Sequence, residues 1–266
     1  MGAAFEREFS PLPLVMTGPE IRIIGLSGMP EAKPGDDIAG QITEAADAGP
    51  GIEPGDIVVV TQKIVSKAEG RVISLADVTA SPEAERLAIE TEKDPQLVEL
   101  ILRESNEIVR QRGPVLITET RHGFVCANAG IDASNVGREG LVCLLPEDPD
   151  RSAEAIRSGI GKNTGVDVAV IISDTFGRAW REGHTNIAVG VAGMLPFVDY
   201  VGQVDPFGYE LRVSMLAVAD ELAGAAELVM NKLDGIPVAI VRGYDYPRGD
   251  GNARQMVRPK ENDLFR

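Results

Sequence analysis

The sequence predicts a mixed α/β protein, an α/β chain with an α+β portion set into it. Three observations lead there. Apolar, β-branched runs such as DIVVVTQ and VDVAVIIS read as buried strands. Segments with apolar residues three and four apart fall between them and read as amphipathic helices. The strand–helix alternation breaks between Val115 and Leu145, where strands follow strands.

Taken in order, EIRII at 20–24 is a short strand, followed by a Gly/Pro-rich loop at 25–34. Asp36 and Asp37 can cap a helix to about Asp47, with Ile38, Ile42 and Ala45 on one face. The strand at 56–62 leads straight into KIVSKAEG at 63–70. Ser81-Pro82 opens a second helix, with proline in its first turn, and a third follows over 94–104. Strands are expected at 115–119, 123–127 and 141–145. PEDPDRS at 146–152 is a turn and a helix start. The apolar strand at 166–173 stops at Asp174, and another covers 187–192. Residues 214–230 have helical periodicity through Leu216, Ala219, Leu222, Ala223 and Ala226. A late strand covers 237–241, and the polar tail at 249–266 is expected to be mobile.

The chain has 266 residues, enough for one large or two small domains. It is read as one unit over 1–266, with two intimately connected subdomains as the alternative. A net charge of −15 argues against clamping a nucleic-acid backbone, while a local basic pocket for a phosphorylated ligand stays open. Cys126 and Cys143 sit in apolar strand-like runs and read as small buried hydrophobes, not as a disulfide framework. No apolar run reaches about 18 residues, and the acidic, broken start does not read as a signal peptide. A cytoplasmic enzyme that uses no membrane and no nucleic acid is the expectation.

Four segments could carry chemistry. NAGIDASNV at 128–136 gathers Asn128, Asp132, Ser134 and Asn135, whose oxygen and amide ligands suit Mg²⁺ or Mn²⁺; an Asx-rich turn is the plainer alternative. VIISDTFGR puts Asp174 and Thr175 after a buried strand, a common place for a metal ligand, although a cap or turn acid reads the same way. TQKIVSKAEG offers Lys63, Ser66, Lys67 and Gly70 to a phosphate, against a solvated amphipathic turn. GRAWREGHTN places Arg178, Arg181, His184, Thr185 and Asn186 near Asp174, where cations could bind an anion; His184 is a weaker candidate for a general base. Two histidines and no cysteine pattern argue against zinc, and no G-x-S-x-G, HExxH, kinase, Walker A or full G-x-G-x-x-G motif is present. What remains is metal-assisted work on a phosphate-bearing ligand.

GLSGMPE followed by GDDI, then VVVTQKIVSKAEGR, NAGIDASNV, ISDTFGR, DPFGYELRVS and DGIPVAIVRG occur in this order between about Ile21 and Gly243. In this series the chain resembles the coenzyme F420-0:γ-glutamyl ligases. The resemblance implies a family-specific mixed α/β fold, an intertwined homodimer, and a reaction that adds L-glutamate to the lactyl-phosphodiester side chain of the deazaflavin F420-0. It implies GTP as co-substrate, two Mg²⁺ or Mn²⁺ ions, and K⁺ as a further candidate. By motif position Asp132, Asp174 and Thr175 would hold the metals. Gln62, Lys63, Lys67 and Asn135 would lie along the nucleotide. The loops of Gly28, Met29, Pro30 and Glu31, and of Met230, Asn231, Lys232, Asp234 and Gly235, would complete the pocket. The second loop reads MNKLD over 230–234, where relatives are expected to carry a Gly-rich stretch, sometimes with an acid. Asn231 and Lys232 therefore depart from the pattern at a position considered for metal contact. Charge and proximity add Arg178 to Lys67 as a group offsetting negative charge during catalysis. The competing readings are a metal-dependent phosphohydrolase, weakened because position 176 is Phe, and a non-catalytic GTP or metal sensor.

Overall fold

The computed structural model describes residues 18–265; residues 1–17, on which the signal-peptide reading falls, lie outside them. In chain order the elements are β1 (Arg22–Leu26), α1 (Ile38–Asp47), β2 (Ile57–Thr61), α2 (Gln62–Ala68), β3 (Val72–Ser74), α3 (Pro82–Thr91), α4 (Pro95–Arg103), β4 (Ser105–Arg112), β5 (Val115–Thr120), β6 (Val125–Ala127), β7 (Leu141–Cys143), α5 (Pro149–Thr164), β8 (Ala169–Arg178), β9 (Arg181–Ala192), β10 (Val198–Asp199), β11 (Met215–Leu216), α6 (Val218–Met230) and β12 (Val238–Arg242). The mixed α/β expectation holds.

The core is a five-stranded sheet in the order β1-β12-β2-β8-β9. Only β2 and β8 pair in parallel, through Ile57–Thr61 against Ala169–Ser173. Both are continuous apolar runs, and their residues 57–60 and 169–172 are fully buried. Burial of each such aliphatic side chain is worth about 1.5–3 kcal/mol, which fixes these strands at the sheet centre. Helix α6 packs on β9, β1 and β12, while α5 packs against β8 and β9 with α1 alongside it. Asp37 caps α1 by accepting from Gly40 N. Gly159 lets α5 approach α1, since a Cβ there would stand 2.4 Å from Ala39 Cβ. A second layer holds the three-stranded sheet β4-β5-β6 beside α3 and α4, and β3 pairs with β7.

Several boundaries differ from the sequence reading. The strand expected to stop at Asp174 runs on to Arg178 and turns directly into β9, which starts at Arg181, not Ile187. This outer half of the hairpin is polar and exposed, so it carries no apolar run to announce it. KIVSKAEG forms a helical turn, α2, which sets Lys63 and Lys67 four residues apart on one face. The polar edge strand β4 and the three-residue β3 lacked a hydrophobic signal. Helix α6 begins at Val218, because Met215–Leu216 pair with Val198–Asp199. The tail is not free: Ala253 is buried and its N–H donates to Asp150 Oδ1 at 2.8 Å. No described helix is long and apolar enough to cross a membrane.

Candidate active site

One cavity of about 1060 Å³ opens at the carboxyl ends of the parallel pair β2 and β8. Small-molecule sites run to about 1,000 Å³, so this one can admit more than one reactant. Its floor is Ser173, Asp174 and Thr175 of β8; Gln62, Lys63 and Lys67 enter from α2, which follows β2 with no intervening loop. The 25–34 loop contributes Met29, Pro30 and Glu31, and the loop after α6 contributes Asn231, Lys232 and Gly235.

The 128–136 segment is held by a two-way bridge: Asp132 N donates to Cys143 O at 3.0 Å and Cys143 N to Asp132 O at 2.8 Å. Asp132 is thus pinned to β7 while its side chain faces α2. Lys63 Nζ lies 2.7 Å from Asp132 Oδ2 and 2.9 Å from Ser134 Oγ. Ser134 N donates to Asp132 Oδ1 at 2.7 Å, so the Asx turn expected as the plainer reading is present together with the ion pair. Although burial works the other way, these partners hold the Asp132 carboxyl below its ordinary value. Lys67 Nζ pairs with Glu31 Oε1 and donates to Asn135 O at 2.9 Å, tying the first loop to the 128–136 segment.

Asp174 behaves oppositely. Burial at the cavity floor, and secondarily the Asp132 charge, push its carboxyl up to about 7, against the Thr175 N–H, Lys63 and Lys232. Beside it runs a chain of hydrogen bonds. Lys232 Nζ donates to Thr175 Oγ1 at 2.5 Å, Thr175 Oγ1 donates to Asn186 Oδ1 at 2.7 Å, and Asn186 Nδ2 donates to Glu227 Oε2 at 2.8 Å. Two polar atoms of the cavity wall, Gln62 Nε2 and Ser173 Oγ, are buried without a hydrogen-bond partner. Such a group costs about 1–3 kcal/mol unless something pairs with it.

The expected site residues are therefore largely brought together. Asp132, Asp174, Thr175, Gln62, Lys63, Lys67, Asn135, Met29, Pro30, Glu31, Asn231, Lys232 and Gly235 line one cavity. Gly28 supplies the turn before it, with φ +81°. Met230 is buried under the loop, and Asp234 accepts from Asn231 Nδ2 at 2.9 Å. Arg178 is the exception. It stands near the hairpin tip, outside the cavity wall, and its guanidinium donates to the Glu182 and Gly183 carbonyls. The charge-offsetting role does not follow it there. His184 also lies outside the wall, and His122 fastens a loop through Nε2 to the Pro146 and Glu147 carbonyls. Phe176 packs edge-on against Phe124, a core contact and not a second acid. Both cysteines are free and buried, and burial pushes the Cys126 thiol up to about 12. Glu227 and Asn186 were missed as a linked pair. Asn186 was noted only for its neighbours, and nothing local in α6 marks Glu227 as different from a surface acid.

The family model for F420-0:γ-glutamyl ligase matches residues 28–243. The chain belongs to that family. It is 52% identical over 250 residues to the coenzyme F420:L-glutamate ligase of Methanothermobacter thermautotrophicus, covering 92% of this chain and 99% of that one. To the Methanocaldococcus jannaschii protein of the same name it is 47% identical over 248 residues, 93% and 97% of the two chains. To that of Methanopyrus kandleri it is 45% identical over 253 residues. The match of this γ-glutamyl ligase family member spans every segment that lines the cavity, from the Gly28 turn to the loop after α6.

Proposed function

We propose that the chain joins L-glutamate to the side-chain carboxylate of the deazaflavin F420-0, first through an amide and then through γ-linked residues, at the expense of GTP. The observation that carries this reading is the cavity wall: the ammonium groups of Lys63, Lys67 and Lys232 and the guanidinium of Arg138 share it with the acids Asp132 and Asp174, beside Glu31, Glu139 and Glu227. Ammonium groups suit phosphates, and paired carboxylates suit a hard cation that bridges phosphates.

The donor set fits Mg²⁺ or Mn²⁺. Its donors are carboxylate and hydroxyl oxygens, and the raised Asp174 marks buried negative charge that a divalent ion would neutralise. No three His, Cys, Asp or Glu side chains gather into a metal-holding group among the described residues, so phosphates and water would complete the shell, as is usual for Mg²⁺. Asp132 and Asp174 would hold the ion, which when bound polarises the phosphoryl oxygens.

In this reading the acceptor carboxylate attacks the γ-phosphorus of GTP and GDP leaves, giving an acyl phosphate. The glutamate amine then attacks the acyl carbon and phosphate leaves. A free carboxylate would expel oxide, whereas the acyl phosphate expels phosphate. Lys63 and Lys67 hold the phosphates and offset their charge; most of the rate comes from positioning and electrostatics. The segment 200–214 between β10 and β11 exposes Val204, Phe207, Tyr209 and Val213, with Phe207 96% accessible, and we infer that a second copy of the chain covers it.

The test is an assay with F420-0, L-glutamate, GTP and Mn²⁺, read by mass spectrometry, with each component omitted in turn. Stepwise gain of glutamate that needs all four supports the reading. GTP cleavage indifferent to glutamate and acceptor would replace it with a phosphohydrolase.

A further inference from the structure

Lys232 stands in an exposed loop, yet its ammonium is drawn onto one hydroxyl oxygen on the cavity floor, Thr175 Oγ1, at 2.5 Å. The neighbours of that oxygen decide what it can do. Asn186 is buried, and its amide cannot turn freely, because Nδ2 donates to the Glu227 carboxylate, an acceptor only. Oδ1 is therefore the atom that faces Thr175, and the Thr175 proton is committed to it. What Thr175 presents to the cavity is lone-pair density. It is a site for a cation, and a cation belonging to the chain is on it.

The same is not true at Asp132. Lys63 shares a carboxylate with about four acceptor positions, and Ser134 uses others, so an ammonium there leaves room for a further ligand. Asp174 accepts the Thr175 N–H and feels the Asp132 charge in the same cavity, so a cation between the two acids would be shared by both. The floor thus divides into an open position between Asp132 and Asp174, and a position at Thr175 filled by Lys232.

We propose that Lys232 is a built-in cation: its ammonium takes the place at Thr175 that a second divalent ion would take, so the chain binds one divalent ion per active site, between Asp132 and Asp174. Glu227 and Asn186 act as positioning residues that keep the Thr175 oxygen turned toward Lys232. The proposal rests on the reading that this cavity holds a metal–nucleotide complex. It gives Lys232 of the MNKLD loop a role in the site.

The test counts metal directly. Native mass spectrometry of the full chain with Mn²⁺ and the β,γ-imido analogue of GTP gives the number of Mn²⁺ per chain, with no turnover needed. The expected result is one Mn²⁺ in the wild type, one in Lys232→Arg, which keeps the charge, and two in Lys232→Glu, which exchanges the cation for a ligand. Two Mn²⁺ in the wild type would overturn the proposal while leaving the metal–nucleotide cavity intact. One in all three variants would also overturn it, since the second position would then not depend on Lys232. Neither Mn²⁺ nor nucleotide retained by the wild type would overturn the cavity reading and the proposal with it.

Discussion

Removing the negative charge of Asp174 should stabilise the metal-free protein while abolishing ligation. The Asp174 carboxyl is raised from 3.8 to about 7, mainly by burial and next by Asp132. Three units correspond to about 4 kcal/mol, and because the side chain keeps partial contact with the cavity we take about 2–4 kcal/mol. The raised value means that ionised Asp174 costs the folded state nothing below pH 4. The cost grows as the pH climbs from about 4 to 7 and is constant above 7. Asp174→Asn has the same shape and never ionises. Thermal unfolding in chelator, without nucleotide, should therefore show equal melting temperatures near pH 4 and a variant higher by about 4–8 °C above pH 7, at roughly 2 °C per kcal/mol for a chain of this size. Adding Mn²⁺ should raise the wild type and leave the variant unmoved. An Asn variant less stable than the wild type at pH 8, or an increment independent of pH, would refute the argument that Asp174 is a strained charge awaiting a cation.

Other perturbations follow from the same geometry. Lys67→Ala removes a charge that ties Glu31 to Asn135 across the cavity; GTP affinity by calorimetry should fall about 10- to 100-fold, the equivalent of one lost charge-assisted hydrogen bond of about 1.5–3 kcal/mol. Gly159→Val forces α1 from α5, and denaturant unfolding should show a loss of about 1–3 kcal/mol with the site residues untouched. Phe207→Glu places a charge on the exposed segment between β10 and β11; light scattering should show a dimer for the wild type and a monomer for the variant.

The parts of the fold legible in the sequence are those whose residues bury a continuous or periodic apolar face. β2, β8, α1 and α6 belong here, and so does the placement of Asp174 at the end of the buried stretch of β8. The parts that escaped are polar on both sides. The outer half of the β8–β9 hairpin and the edge strand β4 are held by ladder hydrogen bonds and not by burial. That miss displaced Arg178. Read as a loop cation beside Asp174, it stands four residues farther along an extended strand, about 13 Å away at about 3.3 Å per residue. The acids and lysines of the cavity were legible as types at strand ends. Their pairing, Lys63 with Asp132 and Lys232 with Thr175, depends on contacts 57 to 69 positions apart that no local pattern encodes.

The central claim is that GTP activates the acceptor by phosphorylating its carboxylate in this cavity. The most direct measurement follows oxygen: F420-0 labelled with ¹⁸O in the side-chain carboxylate is ligated to glutamate, and the released phosphate is analysed by mass spectrometry. The account predicts one ¹⁸O atom in the phosphate for each amide formed, and none with Asp174→Asn. Amide formation with unlabelled phosphate, the ¹⁸O leaving in water, would contradict it.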